Sequence, residues 1–293
     1  MPEISVCITH YNRPEQLRLS LQSLAEQTRP PDEVLVWDDH SPSDPAEVVG
    51  EFKPNFRRLI YRRNQCNLGM PGNLNAVIGE ARGDFVANLH DADIYHPELL
   101  ASWERVLVAN PTAGLAFCGI DAKTLCPDKG RVWIHEYPEL TSGHDFFELA
   151  YVGQSSSPIW GTVMARRNVY EHHLPFDARF GPWSDVDMWM RVCATHDIAY
   201  VARPLIVISP HSHFRATFRW ETLHLLFSMH LLNIHRMARS PEERDQWLNR
   251  QRRHAAKTIA RTLLGRAVKC EVLQMFRGLA MSRQWVELLR GEL

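Results

Sequence analysis

Asp84-Phe85-Val86-Ala87-Asn88-Leu89-His90-Asp91-Ala92-Asp93-Ile94-Tyr95-His96-Pro97 is the stretch in which the fold of this chain is decided. Asp84 to Leu89 follows Gly83 as a short, nearly uninterrupted apolar run, the pattern of a strand buried on both faces. The run ends on Asp91-Ala92-Asp93, and a helix is predicted over Pro97 to Val108, followed by a further strand over Gly114 to Cys118. Strand, acidic turn, helix and strand in that order form a βαβ unit. The same alternation runs upstream. Ile4 to Thr9 reads as a first strand, Pro14 to Gln27 as a helix with leucines at 17, 21 and 24, Glu33 to Asp38 as a second strand, Arg58 to Tyr61 as a third, and Asn73 to Ala81 as a helix. The fold class expected is α/β: a mostly parallel, doubly wound sheet flanked by helices, which binds ligands at the carboxyl ends of its strands.

Three polar clusters sit at those ends: Thr9-His10-Tyr11-Asn12-Arg13, Asp38-Asp39-His40-Ser41 and His90-Asp91-Ala92-Asp93. Clusters after three strands of one sheet converge on one crevice. Two carboxylates as close as Asp91 and Asp93 repel, and water or a cation such as Mg²⁺ or Mn²⁺ shared with phosphate oxygens relieves that repulsion. The plainer reading is a pair of turn and cap carboxylates before a helix. Asp39 can accept hydrogen bonds from a nucleobase or a ribose hydroxyl, or simply close a turn. A fourth cluster, Ser184-Asp185-Val186-Asp187, opens a helix predicted over 184–196; Asp185 is either a favourable charge on the helix dipole or a general base over the crevice. His211 and His213 follow the apolar run Leu205 to Ile208, where a hydrogen-bonded structural role competes with a ligand role. No zinc spacing such as HExxH is present.

The 293 residues suit one large domain, or one domain with an appendage; 45% are apolar and 23% charged, which excludes disorder and low-complexity sequence for the chain as a whole. The net charge of -1 conceals an asymmetry: residues 215–293 hold 15 of the 33 Lys and Arg but only 7 of the 34 Asp and Glu. The tail is therefore basic and the remainder acidic, unlike a nucleic-acid-binding chain, and no nucleic acid partner is expected. The six cysteines form no CxxC pair, and a reducing, cytoplasmic setting is expected. Met1-Pro2-Glu3 runs straight into the first strand, so no secretory leader is expected. Residues 218–293 are helical in pattern, with two helices over Trp220 to Met237 and Pro241 to Leu264. The second concentrates Arg250, Arg252, Arg253, Lys257 and Arg261.

In their order along residues 4 to about 213, these pieces, together with Gln27-Thr28-Arg29-Pro30, Asn67-Leu68-Gly69, Asn75-Ala76 and Ser184 to Arg191, resemble the family 2 glycosyltransferases of GT-A fold. The resemblance implies a GT-A domain over 1–214 with a helical, basic extension over 215–293. It further implies inverting transfer from a nucleoside-diphosphate sugar, most simply a UDP-sugar, to a hydroxyl of a glycan or lipid-linked acceptor, as in polysaccharide biosynthesis. Carried over residue by residue, Thr9, Tyr11, Arg13, Asp39, Asn67 and Asp91 contact the nucleotide, Asp93 and His211 hold Mn²⁺ or Mg²⁺, and Asp185 is the catalytic base. The chain departs from its relatives at Ala92, where many carry a carboxylate. The basic helices are expected to pack on the catalytic body, to form a homodimer surface, or to touch the inner face of a membrane. The alternatives are a nucleotide-sugar-binding protein without transfer activity, and a nucleotidyltransferase; the latter should carry a glycine-rich loop after the first strand, and Thr9 to Arg13 contains no glycine.

Overall fold

The computed structural model describes residues 1–122, 132–208, 220–268 and 281–290. The first strand, β1 (Ile4–His10), is buried along almost its whole length, as its run of β-branched residues demands. Pro14 opens α1 (Pro14–Ala25), where the ring's fixed φ suits a first helical turn, and Leu17, Leu21 and Leu24 lie buried along one stripe. Then come β2 (Glu33–Asp38), α2 (Ala46–Glu51), β3 (Leu59–Arg63), α3 (Gly69–Ile78) and β4 (Phe85–His90). After the acidic turn follow β5 (Asp93–Tyr95), α4 (Leu99–Ala109) and β6 (Ala113–Asp121). The second half contains β7 (Val132–Trp133), β8 (Leu140–Thr141), α5 (Gly143–Tyr151), β9 (Val163–Arg166), α6 (Arg167–His173), α7 (Ser184–Val192) and β10 (Asp197–Ile208), and then the helices α8 (Trp220–Met237), α9 (Pro241–Val268) and α10 (Ser282–Arg290).

The strands form one sheet in the order β3-β2-β1-β4-β9-β6-β10-β5, with β7 on β6 and β8 on β10. β3, β2, β1 and β4 run parallel, as do β6 and β10. β9 enters antiparallel between β4 and β6, so all these parallel strands point the same way and the chain entering β9 lies at their carboxyl ends. The sheet is therefore mixed at its centre, which the alternation of predicted elements did not show. β9 is short, and Ile159 to Thr162 ahead of it form a loop at that edge. The helix predicted over 184–196 ends at Val192, and the one predicted over 73–81 begins earlier, at Gly69.

Two cores flank the sheet. α1 and α4 cover one face with Leu17, Leu21, Leu24, Leu100 and Trp103, while α3, α5, α7, α8 and α9 cover the other with Phe147, Trp189, Phe227 and Trp247. Trp247 and Ile259 of α9 and Trp285 of α10 belong to the same hydrophobic cluster as Phe117 of β6, so the helices after residue 220 pack on the catalytic body. Arg250 fixes that packing through Glu148 at 2.7 Å, and Gln251 accepts from the Gly153 N–H at 2.6 Å. No helix among the described residues is long and apolar enough to cross a membrane.

Phe117 lies at the middle of an aromatic cluster, 5.6 Å from Phe146 and 4.7 Å from Tyr200 between ring centroids. Phe117→Ala should lower the unfolding free energy by about 3–5 kcal/mol, read from a urea denaturation midpoint. Leu149→Ala, on an exposed helix face, should change it by less than about 0.5 kcal/mol.

Candidate active site

Register brings the three polar loops together. Thr9 pairs with Trp37 on one side and His90 on the other, and His10 pairs with Asp38, so the segments that follow β1, β2 and β4 leave the sheet side by side. Asp91 is 2% exposed and lies between the first and third of them. His10 Nδ1 meets its Oδ2 at 2.8 Å, the Tyr11 N–H donates to the same oxygen at 3.3 Å, and Arg13 Nη2 lies 3.1 Å from Oδ1. Asp91 is thus a buried anion clamped by the β1 loop, which fixes where Tyr11 and Arg13 sit. Tyr11 itself is 44% exposed, an open aromatic ring at the rim.

The β2 loop is clamped in turn. Asp38 accepts from Ser41 and lies 3.4 Å from Arg63 Nε, a wholly buried structural carboxylate. Asp39 Oδ1 accepts from the Leu68 N–H at 2.7 Å and from Asn64 Nδ2 at 3.0 Å, while Asn67 Nδ2 donates to the Asp39 carbonyl at 3.1 Å. The predicted residues Asp39 and Asn67 are therefore joined. Asn12 and His40 both adopt positive φ, at 54° and 61°, a conformation that side-chain-bearing residues avoid at a cost of order 1 kcal/mol. The surroundings hold them there: the Asn12 N–H donates to Ser41 Oγ at 2.8 Å, and His40 Nδ1 lies 3.1 Å from the Asn64 carbonyl.

Asp93 is wholly buried at the start of β5. His90 Nδ1 lies 3.1 Å from its Oδ2, and Trp160 Nε1 donates to the same oxygen at 3.3 Å. Its Oδ1 is buried without a hydrogen-bond partner. Among the described residues no group of three His, Cys, Asp or Glu could hold a metal ion, and the predicted ligand His211 lies outside them.

Asp185 reaches the same place from far along the chain. Gly161, at φ 93°, is held to β4 by Asn88, whose Nδ2 donates to its carbonyl at 2.8 Å. A Cβ on Gly161 would lie 2.8 Å from Asp185 Oδ2 and 3.1 Å from His90 Nε2, so the carboxylate and the imidazole lie within about 6 Å of each other across a point that only glycine leaves open. Burial raises the Asp185 carboxyl above its ordinary range, opposed only in part by the Val186 N–H at 2.8 Å and the charge of His90. Burial alone would lower His90; the hydrogen bond to Asp93 and the charges of Asp93, Asp185 and Asp91 outweigh it and raise the imidazole's pKa. The pair therefore holds a proton more readily than an isolated carboxylate does.

Asp187, two residues on, faces away. Its Oδ2 accepts from Arg191 Nε at 2.8 Å and its Oδ1 from Asn233 Nδ2 at 2.9 Å, which joins α7 to α8. His90, Trp160 and Gly161 received no role from sequence. His90 stood in the quoted motif, and Trp160-Gly161 lay in a stretch without periodicity, where only the bulky-ring and glycine pair before a strand hinted at a close approach.

Residues 5–173 match the profile described as Glycosyl transferase family 2. A Mycobacterium tuberculosis protein of unspecified activity is 34% identical over 222 residues, 70% of this chain and 66% of its own. The GalNAc(5)-diNAcBac-PP-undecaprenol beta-1,3-glucosyltransferase of Campylobacter jejuni is 32% identical over 117 residues, 40% of this chain and 37% of its own. Among solved structures, Staphylococcus aureus TarS 1–349 in complex with UDP-GlcNAc superposes with a TM-score of 0.63 at 16% identity, covering 96% of this chain and 92% of that one. The mannosyltransferase PcManGT of Pyrobaculum calidifontis, in complex with GDP-Man and Mn²⁺, gives 0.63 at 17% identity, covering 98% and 87%. Fold and neighbours define a GT-A architecture. Within it, the chain belongs to glycosyltransferase family 2.

Breaking a buried charge pair leaves an uncompensated partner, at a cost of about 3 kcal/mol or more. Asp187→Ala should therefore destabilise the protein by about that amount in a denaturant titration.

Proposed function

We propose that the chain transfers a sugar from a nucleoside-diphosphate sugar, a UDP-sugar in the first instance, to a hydroxyl of a glycan or lipid-linked acceptor, with inversion at the anomeric carbon. The observation that carries this reading is the approach of Asp185 to His90 and the β4 exit across Gly161. A carboxylate raised by burial is a competent general base. Asp185 takes the proton of the acceptor hydroxyl as that oxygen bonds to the anomeric carbon, and the bond from that carbon to the diphosphate breaks on the opposite face. The nucleoside diphosphate leaves with the electron pair. No covalent sugar–protein intermediate is needed.

Thr9, Tyr11, Arg13, Asp39, Asn67 and Asp91 are the residues proposed for the nucleotide. Asp91 acts by holding Tyr11 and Arg13 in place, and Tyr11 presents its ring to a base. The UDP preference is supported by the UDP-GlcNAc complex of TarS, while the GDP-Man complex of PcManGT defines the competing donor. The partnerless Oδ1 of Asp93 fits a divalent cation, Mn²⁺ or Mg²⁺, with His211 as the second proposed ligand. Such an ion supplies charge neutralisation for the departing diphosphate when bound. Arg13 is a fixed cation, 3.1 Å from Asp91 in the β4 turn.

A lipid-linked acceptor accords with the undecaprenol named for the Campylobacter relative. It also accords with the outer edge of α9, where Arg253, Lys257 and Arg261 are exposed. Such an edge suits a cytoplasmic enzyme that meets an anionic membrane face. Arg250 is not part of it, being committed to Glu148.

Asp185→Asn should lower transfer by about 10²–10⁴ with UDP affinity retained, measured by initial rates and calorimetry. Because the Asp185 pKa is raised and the base must be ionised, the wild-type rate should fall on acidification through a limb above the usual carboxylate range, and the residual rate of Asp185→Asn should lack that limb. The same sign makes the ionised group destabilising above its unfolded pKa, so Asp185→Asn should melt no lower than wild type at neutral pH. For the donor, UDP should bind at least ten times more tightly than GDP, about 1.4 kcal/mol, and Asp93→Ala should abolish the gain in UDP affinity that Mn²⁺ confers on the wild type. GDP binding tenfold tighter would reverse the donor assignment.

A further inference from the structure

β7 lies antiparallel on the carboxyl-terminal end of β6, with Trp133 opposite Ile120 and Val132 opposite Asp121. That end of β6 is on the same edge of the sheet as the loops after β1, β2 and β4. Val132, Trp133 and Ile134 are 37%, 38% and 48% exposed, an apolar strip at that edge. The Trp133 ring meets Trp160 edge-on, 6.4 Å between centroids at 62°. Trp160 donates to Asp93 at 3.3 Å, and the next residue, Gly161, lies against Asp185 and His90. A partly exposed indole thus packs on a second indole that is bound to a buried carboxylate and whose next residue borders the proposed base.

The strip borders the segment that carries Gly161, against which Asp185 lies. A pyranose ring carries a face of C–H groups framed by hydroxyls, and an indole matches that face with large contact area and little side-chain entropy to lose. An anionic acceptor without such a C–H face gains little from the same surface. We propose that Trp133, backed by Trp160, is the platform on which a pyranose ring of the acceptor stacks, so that the acceptor is a glycan whose sugar carries, or adjoins, the hydroxyl to be glycosylated. This rests on the transferase reading above and adds to it the acceptor class and the residue that selects it.

The test uses the full chain with UDP bound, ¹⁵N-labelled at tryptophan, and methyl glycosides of glucose, galactose and N-acetylglucosamine as probes. The Trp133 indole N–H is assigned by its loss in Trp133→Phe. At least one glycoside should shift the Trp133 indole resonance saturably below about 100 mM, a range expected of weak monosaccharide binding. By glycoside titration followed through the Trp160 indole, Trp133→Ala should weaken that binding by roughly tenfold, and Trp133→Phe, which keeps a ring, by no more than about threefold. UDP affinity should stay within about twofold in both variants, which also shows that they fold. A wild type that binds UDP but shows no Trp133 shift with any glycoside overturns this inference alone, as does a Trp133→Ala protein that binds the glycoside as well as wild type. A wild type that binds neither UDP nor GDP overturns the transferase reading and this inference with it.

Discussion

The crevice is organised around one buried anion. Asp91 leaves β4 with almost no access to water, and a carboxylate in that position is tolerated only if its charge is met. His10 at the end of β1 meets it, with the Tyr11 N–H and Arg13 from the loop that follows. The β1 loop consequently has one conformation, and the Ser41 hydroxyl, itself bound to Asp38, accepts from Asn12 and couples the β2 loop to it. Asp39 then gathers Asn64, Asn67 and Leu68 from the segment between β3 and α3. Remove the charge on Asp91 and each later contact loses the one before it. The left-handed backbone at Asn12 and His40 shows that the surroundings, not local preference, set the shape of these loops.

Burial also separates the two acidic residues of α7. Asp187 is enclosed with Arg191 and Asn233 and serves to dock α8 against α7. Asp185, one helical position removed in each direction from buried Ser184 and Val186, is only partly enclosed and has His90 as its nearest opposing charge. Two residues in a helix are about 200° apart, so one sequence motif delivers a structural anion to one side and a chemically available one to the other. The division needs no special loop; it is a property of helix geometry.

The antiparallel insertion of β9 is what turns a nucleotide-binding half-sheet into a two-sided site. Because β9 runs against β4 and β6, the chain entering it passes the carboxyl ends of their parallel partners and deposits Trp160 and Gly161 there. Gly161 leaves room for Asp185 and His90 to approach, and any larger residue would displace one of them. Trp160 reaches Asp93, closing the crevice on the side where β6 and β7 end. The helices α8 to α10 stabilise this arrangement from behind, by sharing the core of α5 and α7.

Much of this was legible in the residues themselves. The βαβ order, the position of the three polar loops, the two long helices of the tail and the opposed faces of Asp185 and Asp187 all follow from periodicity, because periods of two and 3.6 are local properties of the backbone. Three features were decided only by tertiary structure: the antiparallel entry of β9, the engagement of Asp91 by His10 and Arg13, and the meeting of His90, Trp160, Gly161 and Asp185. Sequence places Asp91 and Asp93 two residues apart as an apparent pair. In the fold each is met by a different segment, Asp91 by residues some 80 positions earlier and Asp93 by the indole N–H of Trp160, 67 positions later, as well as by adjacent His90. Charge compensation inside a protein depends on which distant groups the packing brings within hydrogen-bond distance, and no local pattern encodes that distance.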